Sequence, residues 1–435
     1  MKRILCLFLI LSLMPLSLAS CARKRETDKN VLKVAVLESA YGSEMWRQVA
    51  KAFEEENEGV TVKLTAEKNL EDVISAKMKS GDYPDFVHLA TGREAALTET
   101  LIKGNALEDI SDVFEMTVPG ENVKVSEKLT DGFTSTLATN PYSNSKTYLA
   151  PMFYSPCGLF YNAGLFRERG WDVPETWEEM WELGDKAKKE GIYLFTYPTA
   201  GYFDSLVFAL LAEVGGIDFY NDCMNYKKDI WESDDADEFF EIMEKLLSYT
   251  EPTTVANANN DNYLKNQQLI LDNKALFMPN GTWVVGEMSD APRAEGFEWG
   301  FCALPAAEDE DRFSYTFFEQ SWIPKESENK DLAKKFCAFL YSDKAARIFA
   351  GSGAVQPLKN SADFVSGESK LFYSVYEDGA SAVMGGFAAT EALEGVSMGD
   401  TLFSSINSVV SKDKSIEKWR SEISAVSEKL RKVKK

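Results

Sequence analysis

The chain has 435 residues, 45% of them hydrophobic and 12% aromatic, and carries a formal charge of −22. That much acid repels phosphate backbones and argues against nucleic acid as a partner. The 27 Phe, 17 Tyr and 9 Trp argue against a disordered chain. Single cores generally stop growing at about 250–300 residues, so two lobes are expected. In chain order the first element is not part of the fold. Lys2 and Arg3 precede an almost wholly apolar run, Ile4 to Leu18, broken only by Ser12, Pro15 and Ser17. A basic start, a short apolar centre and small residues before a cut form an export signal. The run is shorter than the ~20 residues a membrane helix needs.

Leu18-Ala19-Ser20-Cys21 ends this stretch and resembles the lipobox of bacterial lipoproteins. The resemblance implies removal of residues 1–20, a lipid on Cys21 and a polar tether over 21–30. It places the protein outside the cytoplasm, held at the cell membrane by its lipid. The alternative is an ordinary secretory signal with Cys21 as a bystander. Cys157, Cys223, Cys302 and Cys337 are widely spaced without a CxxC, so a metal cluster is not expected. They either pair with one another or stay as small buried hydrophobes.

Val31 to Leu37 is an apolar, β-branched run that predicts a buried strand. Trp46, Val49, Ala50 and Phe53 follow at helical spacing, which predicts an amphipathic helix over 44–56. Val60, Val62 and Leu64 alternate with polar residues and predict a half-buried strand. A second helix, about 69–80, leads to a third strand at Asp85 to Ala90. Strand and helix in alternation imply parallel pairing. Ligands of such sheets sit beyond the carboxyl ends of the strands, here Glu38 to Tyr41 and Thr91 to Glu94.

The pattern then restarts. Thr147 to Pro151 and Gly158 to Tyr161 predict two strands, and Pro174 to Glu179 a helix start in which Thr176 and Glu179 form a capping box. A strand over 192–197, a helix over 205–214, strands at 275–278 and 299–304 and a helix over 331–341 follow. Ile416, Trp419, Ile423, Val426 and Leu430 mark one face of a C-terminal helix.

Several segments, in order, resemble the extracellular solute-binding proteins of ABC importers, in the carbohydrate-binding branch that includes maltose-binding protein. They are Trp46 with Phe53-Glu54 and Val62, then Met78-Lys79-Ser80-Gly81-Asp82-Tyr83-Pro84-Asp85, then Tyr148-Leu149-Ala150-Pro151 with Gly158-Leu159-Phe160-Tyr161-Asn162. Pro174-Glu175-Thr176-Trp177-Glu178-Glu179, Asp272 to Met278 with Gly281-Thr282-Trp283, and Trp322-Ile323-Pro324-Lys325 continue the match to about residue 358. Each piece is short; the order and spacing are what is specific. The resemblance implies a two-lobe α/β periplasmic-binding-protein-like fold with hinge crossovers and a ligand cleft between lobes. By analogy one lobe spans 31–152 plus 306–340 and the other 153–305 plus 341–435. It also implies a monomeric binder of a mono- or oligosaccharide that closes on its ligand and delivers it to membrane permease subunits, with no cofactor and no metal.

Sugars display hydroxyls at their rims and weakly apolar C–H faces, so their sites combine aromatic plates with fixed polar groups. In the resembling family a Trp at the position of Trp283 stacks on a sugar ring, and an aromatic commonly stands where Tyr202 and Phe203 follow Ala200-Gly201. Glu319, Gln320, Ser155, Glu38, Tyr41, Thr91, Arg93 and Glu94 are the candidate polar contacts, and Phe387 in a Gly-rich turn is a candidate wall. For each, a core or solvated-loop role is the alternative. The segment Phe277 to Met288 further resembles binders of N-acetylglucosamine and chitobiose.

His88 is the chain's one histidine and lies inside a predicted strand, where a buried, satisfied ring is expected. No Gly-x-Ser-x-Gly, HExxH, Walker A or GxGxxG sequence is present. The acidic runs at Asp234 to Asp237 and Glu308 to Asp311 lack calcium-loop spacing and read as solvated surface. An enzyme is not expected. A lipid-anchored glycoside hydrolase, which needs only two carboxylates, stays open as a rival, as does a sensory sugar-binding protein.

Overall fold

A computed structural model describes residues 29–434 except 40, 92, 94, 135, 143, 199–201, 259–261, 308–310, 389 and 392. The export signal, Cys21, nearly all of the tether, Ala200-Gly201, Glu94 and most of the second acidic run lie outside the described residues.

Nine strands are found among the described residues: β1 (Val31–Leu37), β2 (Thr61–Glu67), β3 (Phe86–His88), β4 (Leu149–Asn162), β5 (Tyr193–Phe195), β6 (Ala275–Gly281), β7 (Trp299–Cys302), β8 (Arg312–Trp322) and β9 (Ala380–Val383). They connect in the order β2-β1-β3-β8-β4-β6-β5, with β7 on β4 and β9 on β8. β1 pairs in parallel with both β2 and β3, as strand–helix alternation predicts. β8 runs antiparallel to β3 and to β4.

The architecture is a two-lobe α/β periplasmic-binding-protein-like fold. One core gathers Leu32 and Val34 of β1, Phe86 of β3, and Trp46 and Phe53 of the Glu44–Glu56 helix. Phe336 and Phe339 of the Lys330–Leu340 helix join it, with the Phe53 and Phe336 rings edge-on at 5.0 Å. A second core gathers the Phe203–Met224, Asp234–Ser248 and Ile416–Arg431 helices around Trp231, Phe239, Phe240 and Trp419. β4 contributes Phe153 to the first core and Leu159 to the second. β8 likewise begins beside the second core at Phe313 and ends beside the first, where Ile323 follows it.

Sequence expectation and structure differ at several points. The two strands expected at 147–151 and 158–161 are one continuous strand, β4, with a bulge between Pro151 and Phe153. A bulge tolerates a proline that an unbroken ladder would not. The helix expected over 205–214 runs from Phe203 to Met224, broken at Gly215-Gly216. β8 and β9 have no counterpart in the sequence reading. The capping box is present with one change: the Thr176 hydroxyl accepts from Glu179 N–H at 3.3 Å, but the Glu179 carboxylate accepts from Glu175 N–H at 2.8 Å, one residue before the cap. The Asp343–Ala350 helix buries Ala345, Ala346 and Phe349 in the first core, although the resemblance grouped residues after 340 with the second lobe.

The four described cysteines are free thiols, three buried and Cys302 partly so. Burial pushes the thiols of Cys302 and Cys337 up to about 12. Of the two readings the sequence allowed, these residues follow the buried one.

Candidate functional site

Where β4 and β8 cross from core to core, a groove of about 740 Å³ opens. Ser39 and Tyr41, just past the carboxyl end of β1, line one side together with Arg347 of the Asp343–Ala350 helix. Thr282 and Trp283, directly after β6, line another, and Ser155 of β4 and Glu319 of β8 are also among the lining residues. The alternation of side chains along a strand explains the choice of residues from β8. Phe317, Glu319 and Ser321 share one face, and Phe318 and Gln320 share the other. Ser155 and Phe153 of β4 stand directly opposite Phe317 and Glu319, so they share that first face.

Trp283 is half-buried and begins the short Val284–Glu287 helix. Its indole lies 5.6 Å from the Phe317 ring and 6.0 Å from the Tyr202 ring, and Tyr263 lies 5.7 Å beyond Tyr202. A Cβ at position 281 would fall 2.2 Å from the indole, so only glycine lets Trp283 lie against this backbone. Gly281 therefore serves close approach. Tyr202 donates to Glu287 Oε1 at 2.8 Å, and the buried Gln267 amide holds Glu287 Oε2 at 2.8 Å. Burial first, and the Glu287 carboxylate second, push the Tyr202 phenol far up.

The other lining side chains include several polar groups. Tyr41 packs edge-on against Phe153 at 5.9 Å. Burial, and then the neighbouring Glu319 charge, push its phenol up, while Ser155 pulls it down through a hydrogen bond. Tyr373 is buried at the groove's edge, and burial raises its phenol strongly, partly opposed by Thr282 and Ser155. The Arg347 guanidinium lies 5.1 Å above the Phe364 ring. The Glu319 carboxylate is 31% exposed and accepts from His88 Nε2 at 2.9 Å.

Of the residues expected from sequence, the groove unites Tyr41, Ser155, Trp283 and Glu319, with Tyr202 against Trp283. The others stand elsewhere. Gln320 is 2% exposed on the opposite face of β8, where its amide bonds both the backbone N–H and the hydroxyl of Thr91 at 3.2 Å, so the two stand together away from the groove lining. Arg93 pairs with Glu71 at 2.9 Å on the Leu70–Lys79 helix. Phe203 is fully buried against Tyr197 at 4.9 Å. Phe387 stacks on Tyr226 at 5.8 Å and packs on the second core. Glu38 is not among the lining residues; its N–H extends the β1–β2 ladder to Glu67. Thr282, Arg347 and Tyr373 of the lining, and Phe317 beside Trp283, were not named as site residues from sequence, whereas Ser39 falls within the expected Glu38–Tyr41 loop. Thr282 and Phe317 were within reach as neighbours of named residues, whereas Arg347 and Tyr373 arrive from distant helices with no local signal.

The described residues contain no group of three or more His, Cys, Asp or Glu placed to hold a metal ion. No helix among them is long and apolar enough to cross a membrane.

The model of the family described as bacterial extracellular solute-binding protein matches residues 48–371. The chain is 23% identical over 329 residues to the diacetylchitobiose binding protein NgcE of Streptomyces coelicolor, covering 74% of this chain and 68% of that protein. It is 25% identical over 315 residues to the multiple sugar-binding protein of Streptococcus mutans, covering 68% of each. Among solved structures, the apo-form of RafE from Streptococcus pneumoniae superposes with a TM-score of 0.69 at 17% identity, over 92% of this chain and 98% of that one. At that identity the last likeness speaks for the fold.

Proposed function

Because the chain belongs to the bacterial extracellular solute-binding proteins, we propose that it captures a mono- or oligosaccharide in the groove and hands it to the permease of an ABC importer. Membership of a solute-binding family makes it a binder, so the glycosidase that paired carboxylates left open is set aside. The observation that carries the carbohydrate reading is the pairing of Trp283, flanked by Tyr202 and Phe317, with Glu319, Ser155, Tyr41 and Thr282 around one groove. An aromatic plate covers the C–H face of a pyranose while carboxylate and hydroxyls exchange hydrogen bonds with its rim.

Closure follows from the same arrangement. A ligand that touches Tyr41 and Arg347 on one side and Trp283 on the other binds the closed form better than the open one, and this differential contact drives the change. The lobes we infer meet along β4 and β8, with the Asp343–Ala350 helix in the first. The favoured ligand is an N-acetylglucosamine-containing sugar. Its support is the segment Phe277 to Met288 and the relative named for diacetylchitobiose. We place the protein outside the cytoplasm as a monomer, with its lipid on Cys21.

The test is titration calorimetry against a panel of chitooligosaccharides, maltooligosaccharides and galactosides. A bound sugar at one hundred times its Kd should add about 2.7 kcal/mol to stability, with no sugar released. Trp283→Ala should weaken binding at least about tenfold, equivalent to ~1.4 kcal/mol, while thermal unfolding stays near wild type. Undiminished affinity in that variant would remove Trp283 from the site, and cleavage of any glycan would end the binder reading.

A further inference from the structure

We propose that His88 is a positioning residue of the groove: through Nε2 it holds the Glu319 carboxylate in one orientation, so that Glu319 meets the ligand as a fixed acceptor. The inference rests on the ligand groove proposed above. β3 and β8 pair with His88 directly opposite Ser321, and the face of β8 that carries Ser321 also carries Glu319 two residues earlier. One ring therefore reaches both. Nε2 lies 2.9 Å from Glu319 Oε2, and Nδ1 lies 3.0 Å from Ser321 Oγ. A carboxylate accepts and does not donate, so Nε2 carries the hydrogen, and in the neutral ring Nδ1 then accepts from the Ser321 hydroxyl.

The ring has no freedom to turn away. His88 is 1% exposed, with Trp46 at 4.9 Å and Phe153 at 5.1 Å between ring centroids. Ser321 is fully buried, whereas Glu319 is 31% exposed at the groove. A serine–histidine–carboxylate chain of this composition would serve a hydrolase with its serine outermost. Here the order is inverted: the serine is the interior anchor and the carboxylate is the end that meets solvent. With Oε2 committed to His88, Oε1 is left to accept from a ligand hydroxyl. A loose glutamate on a strand would spend rotamer entropy on binding, and a carboxylate fixed beforehand avoids part of that cost.

Two measurements test this, one without ligand. Because the chain has a single histidine, imidazole-nitrogen NMR reads His88 alone. The ligand-free protein should show the Nε2–H tautomer with a slowly exchanging ring proton. Glu319→Ala should shift the Nε2 signal and speed that exchange, and Ser321→Ala should move mainly Nδ1. An Nε2 signal indifferent to Glu319→Ala overturns the proposal. The second measurement uses diacetylchitobiose as probe. His88→Leu should weaken binding about tenfold, and His88→Gln, whose amide can donate from a similar position, should restore most of it. In a Glu319→Ala background His88→Leu should cost nothing further. A full additional loss there would show that His88 acts through the fold and not through Glu319. If no sugar binds the wild-type chain, the carbohydrate reading fails, and the NMR result still decides the role of His88.

Discussion

Glu213 sits in the Phe203–Met224 helix, 8% exposed, with one carboxylate oxygen accepting from Phe313 N–H at 2.5 Å and the other buried without a partner among the described residues. Burial pushes its carboxyl up to about 9 from 4.5, against the downward pull of the Phe313 bond and Arg312. The folded state thus keeps a proton that the unfolded chain releases. The stabilising contribution is complete below 4.5 and is lost as pH rises toward about 9. Glu213→Gln keeps an acceptor for Phe313 and removes the titration. Calorimetric unfolding across that window should find the variant's slope flattened and its stability at about pH 8 raised by roughly 1–3 kcal/mol; a slope equal to wild type would contradict this. None of it is visible in the sequence, where Glu213 is one acid among 69 acidic residues. Trp283 shows the opposite case. Its motif was legible, because a tryptophan after Asn-Gly-Thr keeps its neighbours in any fold. Phe317, which completes its aromatic wall, became meaningful only when β8 was brought beside β6 by way of β4.

Periodicity succeeded for elements that bury one face. The helices at Glu44–Glu56, Lys330–Leu340 and Ile416–Arg431 match the expected spans closely. It failed for β4 and β8. β4 is buried along nearly its whole length, so hydrophobic and polar positions do not alternate, and Pro151, Pro156 and Gly158 look like breakers; β8 alternates from Arg312 to Phe317 but loses the pattern over Phe318 to Ser321. These two strands carry Ser155 and Glu319, so the elements that build the groove were the least legible. The break in the Phe203–Met224 helix is the other feature that helical spacing hides. Gly216 adopts φ 69° and ψ −178°, a region open essentially to glycine alone. Gly216→Ala should therefore destabilise the protein by about 1–3 kcal/mol, measured by denaturant unfolding. An unchanged midpoint would mean the helix can straighten at no cost.

Over the whole molecule, the prediction belongs to the part that precedes the fold. If Cys21 carries the lipid, Cys21→Ser should release the protein from the membrane fraction into the medium or periplasm, as cell fractionation would show, with sugar affinity unchanged. Retention in the membrane would reject the anchor. The sequence by itself determined the acidic charge, the parallel β1–β2–β3 start and the family, because these depend on composition, local period and the order of short motifs. Only the tertiary structure decided which candidates meet. It joined Tyr41, Ser155, Trp283 and Glu319, sent Gln320 to the other face of its strand, and put the lone histidine behind Glu319. The reason is that strand register sets which residues share a face, and register is fixed by pairing partners hundreds of residues away.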